Sequence, residues 1–137
     1  MHRKIILWGL LLALLSVLLG AFGAHALKKM VDSDKVAIFE TGVRYQFMHG
    51  LALILLALYS QQNLSFPQLQ KSINRVAQFF LYGCLFFCGS LYLLTLQPLA
   101  SFNYSQMVGP VTPLGGLIFM LGWASWIRLI WKHKVDK

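Results

Sequence analysis

Apolar residues in this chain come in long runs, and the polar residues collect between them. The first run, IILWGLLLALLSVLLGAFGAHAL, covers residues 5–27. The second is uninterrupted only over LALILLALY, residues 51–59, which is too short to cross a bilayer. A helix needs about 20 residues to span a hydrocarbon core of roughly 30 Å. The second helix must therefore take in residues upstream, back to about Glu40, giving a span over 40–60. The third covers 76–96 and stops at Gln97-Pro98, because proline brings no amide proton and disfavours helix in the residue before it. The fourth opens at Thr112-Pro113, a side-chain cap followed by proline at the first helical position, and covers 113–131. Backbone groups in lipid must be satisfied by the protein itself, so these lengths predict helices. The chain reads as one integral membrane domain over residues 1–137, an all-α bundle of four transmembrane helices.

Composition agrees with that pattern. The 137 residues are 58% hydrophobic and 12% charged, with a mean hydropathy of +0.64. A soluble domain carries about 25% charged residues, so too little charge is present to coat a water-soluble globule. The net charge of +8 sits in short clusters at the ends of the apolar runs. That distribution predicts the lipid bilayer as partner and excludes nucleic acid, which needs a basic stripe along a face. Cys84 and Cys88 are one helical turn apart inside an apolar run, a spacing suited to packing and poorly suited to a disulfide.

Charge also predicts direction. Arg3, Lys4, Lys71, Arg75, Arg128, Lys132, Lys134 and Lys137 fall on the side shared by both termini and the second loop. Lys28, Lys29, Lys35 and Arg44 fall on the other, a balance of 8 against 4. Lysine and arginine stay on the cytoplasmic side, so both termini are expected there. A rival reading takes Arg3-Lys4, the first apolar run and Ala24-His25-Ala26 as a cleavable signal peptide, which would leave three spans.

Small residues supply the most regular feature. Gly9, Ala13, Ser16, Gly20 and Gly23 recur at spacings of four, three, four and three, on one face of the first helix. The third helix offers Gly83, Cys84 and the Gly89-Ser90 pair, and the fourth Gly115, Gly116, Gly122 and Ser125. Helices in lipid associate by close backbone approach along such residues, so all of these are expected at helix–helix contacts.

The polar residues of the second span form two faces. At 100° per residue Glu40 and Arg44 point one way, as a boundary ion pair with Arg44 free to reach outward. Gly42, Tyr45, Gln46 and His49 point the other way, into the bundle. His25, near the end of the first helix, is expected to approach Tyr45 and His49. Ionisable groups at depth in a membrane mark either a satisfied structural network or a functional path. No phosphate loop, zinc-ligand pair or nucleophile triad occurs, so no enzyme, metal or cofactor is expected.

The segments LGAFGAHALKK, TGVRYQFMHGLAL, GSLYLL and GPVTPLGGLIFMLGWA, in that order and one per span, resemble the YgdD/YwdK family of small bacterial inner-membrane proteins. Cys88 stands where that family is expected to have serine, and Gly50 where alanine or threonine is usual. The resemblance implies a four-span protein of the bacterial inner membrane and brings no activity, substrate or catalytic residue. Function is then expected to be non-enzymatic: a self-associating helix bundle, or one that joins a larger membrane complex. Two alternatives use the polar residues instead. One is a proton or small-solute pathway in an oligomer along Glu40, Arg44, His49, Tyr45 and His25. The other is haem or metal binding between His25 and His49.

Overall fold

The computed structural model describes residues 2–63 and 67–135. Among them there are helices and no strands, and four helical stretches are long and apolar enough to cross a membrane. The first is α1 (His2–His25) and the second α2 (Ser33–Gln62). The third stretch runs without a break through α3 (Pro67–Gly83), a π-helical turn over Cys84–Cys88 and α4 (Gly89–Leu96). A short helix α5 (Ser105–Val108) precedes the fourth, α6 (Val111–Val135).

Three helices begin earlier than hydropathy alone suggests, each for a local reason. Helix α2 starts seven residues before Glu40, after Asp32 in an extended conformation. Its first turns are tied down by the distant end of α4: Thr95 Oγ1 donates to the Lys35 carbonyl at 3.2 Å, and Lys35 Nζ donates to the Leu94 carbonyl at 3.3 Å. Helix α3 starts at Pro67, where a missing amide proton costs nothing. Leu69 and Ile73 on its inner face are buried, while Gln68, Lys71 and Arg75 are exposed. Gln70 stitches this end to α2, accepting from Ser60 Oγ at 2.6 Å and donating to the Ser60 and Asn63 carbonyls, each at 3.0 Å. Helix α6 begins just after Pro110, so Pro113 occupies the third helical position, where its nitrogen still lies among the four that need no partner.

The central layer is α2 with α3–α4, and α1 and α6 lie outside it. In the most apolar window of α1 and of α6 only 17% of residues are buried inside the protein, against 44% for α2 and 39% for the third stretch. The outer two helices therefore offer most of their surface to lipid. Core side chains come from the central layer: Leu53, Leu56, Ile73, Phe80 and Cys88 are fully buried. Both cysteines are free and buried.

Glycines set the crossings. A Cβ on Gly9 would lie 2.7 Å from the Gly50 carbonyl oxygen, and one on Gly50 would lie 3.0 Å from that of Gly9. At this point α1 and α2 touch backbone to backbone. Ser16 is buried on the same stripe and bonds back to its own helix through the Leu12 carbonyl at 2.8 Å. Gly23 faces the ring of Phe39. The small-residue stripe of α1 is thus spent mainly inside the chain, against α2. On the other side, a Cβ on Gly115 would collide with the backbone of Phe87, inside the π turn. Gly20 and Gly116 make only ordinary contacts, at 3.7 Å to Val43 and 3.8 Å to Phe87. Gly89 does not pack against a helix as expected of a small residue: a Cβ there would meet nothing within 4 Å. It lies at the rim of an open groove lined by Trp8, Leu12, Gln46 and Tyr92.

Candidate functional site

Two of the buried polar side chains lie deep on the inward face of α2. Gln46 and His49 are 6% and 3% exposed, and Gly42 is buried beside them, as the 100° phase predicts. Gln46 joins three helices. Its Nε2 donates to the Leu12 carbonyl of α1 at 3.2 Å, and its Oε1 accepts from Tyr92 Oη of α4 at 3.0 Å. Tyr92 reaches that far because its ring lies over Gly42, where a Cβ would sit 2.7 Å from the ring.

His49 is held by both ring nitrogens. Nδ1 faces the Tyr45 carbonyl at 2.8 Å, and Nε2 faces the indole Nε1 of Trp123 at 3.1 Å. A carbonyl only accepts and an indole N–H only donates, so the partners assign the proton to Nδ1 and leave Nε2 as acceptor. Aromatic rings enclose the imidazole: Phe119 stacks on it at 3.6 Å with 14° between planes, and Phe80 meets it edge-on at 5.2 Å. Two glycines make room for those rings. A Cβ on Gly83 would collide with Phe119, and one on Gly122 would lie 2.7 Å from Phe80.

Tyr45, expected to point into the bundle, lies at its edge. Its backbone carbonyl, not its hydroxyl, meets His49. Its ring packs on Phe87 at 4.8 Å and is 37% exposed. Ser90 is buried at the π turn, where its Oγ donates to the Phe87 carbonyl at 2.8 Å and lies 2.7 Å from Thr112 Oγ1. That oxygen pair ties the start of α6 to the third stretch.

The remaining candidates are elsewhere. His25 is exposed and turns back to the Ala21 carbonyl of its own helix at 3.1 Å. It does not approach Tyr45 or His49, because it lies about 200° around α1 from Gly23, which faces α2. Glu40 and Arg44 are exposed on the opposite side of α2 from His49. Among the described residues no ion pair joins them. They line a shallow groove of about 360 Å³ with Ser16, Val17, Gly20, Val43 and Phe47.

This arrangement is better at holding helices than at moving protons or metals. His49 has no nitrogen left to bind a metal, and a relay through it would have to break the bond to Trp123 or to Tyr45. His25 supplies no second ligand to it. Among the described residues no group of three or more His, Cys, Asp or Glu could hold a metal ion. The sequence pattern finds Gln46 and His49 by phase. It does not find Phe80, Phe119 and Trp123 as their partners, although Trp123 falls in one of the segments that carry the family resemblance.

Comparison with known proteins follows the same line. Residues 19–116 match the family described as "Protein of unknown function (DUF423)". A membrane protein of Staphylococcus haemolyticus designated UPF0382 membrane protein SH2409 is 35% identical over 121 residues, covering 88% of this chain and 89% of its own. UPF0382 membrane protein SAB0533 of Staphylococcus aureus is 32% identical over 130 residues, covering 95% and 97%. The UPF0382 inner membrane protein YgdD of Escherichia coli is 34% identical over 122 residues, covering 89% and 85%. No solved structure matches. With its four membrane-spanning helices and these relatives, the chain belongs to the DUF423 family of multi-pass membrane proteins.

Proposed function

We propose that this protein acts by association in the plane of the bacterial inner membrane, with copies of itself or within a larger membrane complex, and without catalysis. Both termini lie on the cytoplasmic side in this reading, as the distribution of lysine and arginine favours. The observation that carries it is the use of the interior polar groups. Gln46, His49, Ser90 and Tyr92 bond to neighbouring helices and to backbone, so they hold the bundle, and among the described residues they leave no chain of free groups across it. What the protein offers outward is the apolar face of α1, the apolar face of α6, and the Glu40–Arg44 groove.

The test is subunit counting in native-lipid nanodiscs by single-molecule photobleaching. Two or more copies per disc at low protein density support the reading; one copy, with no other membrane protein in constant ratio, contradicts it. A pathway for protons would appear instead as flux into vesicles that the His49→Ala substitution abolishes. Orientation is read separately, from the accessibility of single cysteines placed at Lys71 and Lys28 to a membrane-impermeant reagent.

A further inference from the structure

We infer that Glu40 and Arg44 form the contact by which two copies of this chain recognise each other, around a two-fold axis normal to the membrane. The inference rests on the reading of the protein as self-associating and gives it a surface. Glu40 lies seven residues into α2, about 10 Å along the helix from Ser33, and Arg44 about 6 Å further. Both point outward beside α1. A glutamate four residues before an arginine is the favoured order for a pair within one helix, yet among the described residues that pair is not made. Each side chain is therefore left with its charge unpaired on the outer surface of the bundle, near the membrane boundary, where a partner of opposite charge is favourable.

A second copy satisfies both. In an isologous contact residue i of one subunit meets residue j of the other and the reverse, so one carboxyl–guanidinium pair becomes two. Helical side chains lean toward the N-terminus, and the longer arginine reaches back farther than the glutamate, which narrows the offset between the Arg44 guanidinium and the Glu40 carboxyl. Parallel copies around a normal axis keep equal depth, so the cross-pairs are in reach.

The floor of the groove suits such an approach. Gly20 has only an ordinary contact to Val43, so α2 leaves this part of the small-residue stripe partly open. Exposed Val17 and Phe47 give it an apolar rim. An anionic lipid headgroup fits less well, because Glu40 would repel the phosphate that Arg44 attracts. The face carries both signs, and a copy of the same face is complementary to it.

The experiment uses the full chain labelled for energy transfer in vesicles of phosphatidylcholine alone, with wild type, Glu40→Arg and Arg44→Glu. Wild type dimerises; each single variant dimerises about tenfold more weakly, the scale of losing two interhelical polar contacts of average strength in lipid. Mixing the two variants restores dimers to near the wild-type level, since a doubly basic face then meets a doubly acidic one. That recovery also shows that each variant folds. Wild-type dimers that both single variants match, or single variants that weaken without recovery on mixing, overturn this contact while self-association stands. Dimers that form only when anionic lipid is added overturn it in favour of the headgroup. A wild-type monomer removes the parent reading as well.

Discussion

Trp123 donates its indole N–H to Nε2 of His49 across 3.1 Å, joining positions 74 residues apart on the outer helix α6 and the central helix α2. Bonds between side chains in lipid average about 0.6 kcal/mol and reach about 1.7 kcal/mol, because the separated helices also find partners. Trp123→Phe keeps most of the ring and removes the donor, so it should destabilise the bundle by about 1 kcal/mol. With His49→Phe in the same chain the losses should not add, leaving a coupling of similar size. Reversible unfolding in mixed micelles measures this; fully additive losses would remove the bond from the account.

Gly83 and Gly89 are six residues apart and should respond in opposite ways. A methyl group on Gly83 meets the Phe119 ring that stacks on His49, so Gly83→Ala should cost about 1–3 kcal/mol, as overpacking does. Gly89 has nothing within 4 Å in that direction, so Gly89→Ala should fall within about 0.5 kcal/mol of wild type. The same unfolding experiment compares them. An equal response at both positions would mean that Phe119 yields freely.

Neighbouring glycines in α6 give a second contrast. Gly115 faces the Phe87 backbone, which cannot rotate away, whereas Gly116 has its nearest neighbour at 3.8 Å on a side chain. Gly115→Ala should prise α6 from the π turn and lower the thermal midpoint clearly, and Gly116→Ala should leave it nearly unchanged. Equal shifts at the two positions would mean that the Phe87 backbone yields to the added methyl group.

Tyr92→Phe should cost about as much as a single polar contact in lipid, roughly 0.6–1.7 kcal/mol, because it removes only the bond to Gln46. Gln46→Leu should cost more, since it also releases the Leu12 carbonyl of α1. Crosslinking between cysteines placed at Gly20 and Val43, which face each other across α1 and α2, should slow in the Gln46→Leu chain and not in the Tyr92→Phe chain. Equal slowing in both would place the bond to α1 outside what holds that helix.

Much of this was readable from the residues, and the exceptions have physical causes. The four spans follow from hydropathy, and the burial of Gly42, Gln46 and His49 follows from their phase on one helix. Phase equally turns His25 away from α2, so the expectation that it approaches His49 fails on the same geometry. The start of α2 at Ser33 depends on Lys35 and Thr95, which meet only after the chain has crossed the membrane twice more. The π turn at Cys84–Cys88 has no signature in hydropathy, and Phe87 within it lies against Gly115. Glu40 and Arg44 have the spacing of an in-helix pair, and spacing alone does not reveal that each remains free of the other.

The central claim is that the deepest titratable side chain of α2, His49, serves the bundle and is fully engaged within it. Solid-state nitrogen NMR of the histidine-labelled protein in lipid vesicles tests that most directly. The account predicts a proton on Nδ1, an unprotonated Nε2, and an Nε2 resonance that moves when Trp123 is replaced by phenylalanine. A proton on Nε2, or an Nε2 resonance indifferent to Trp123, would contradict it.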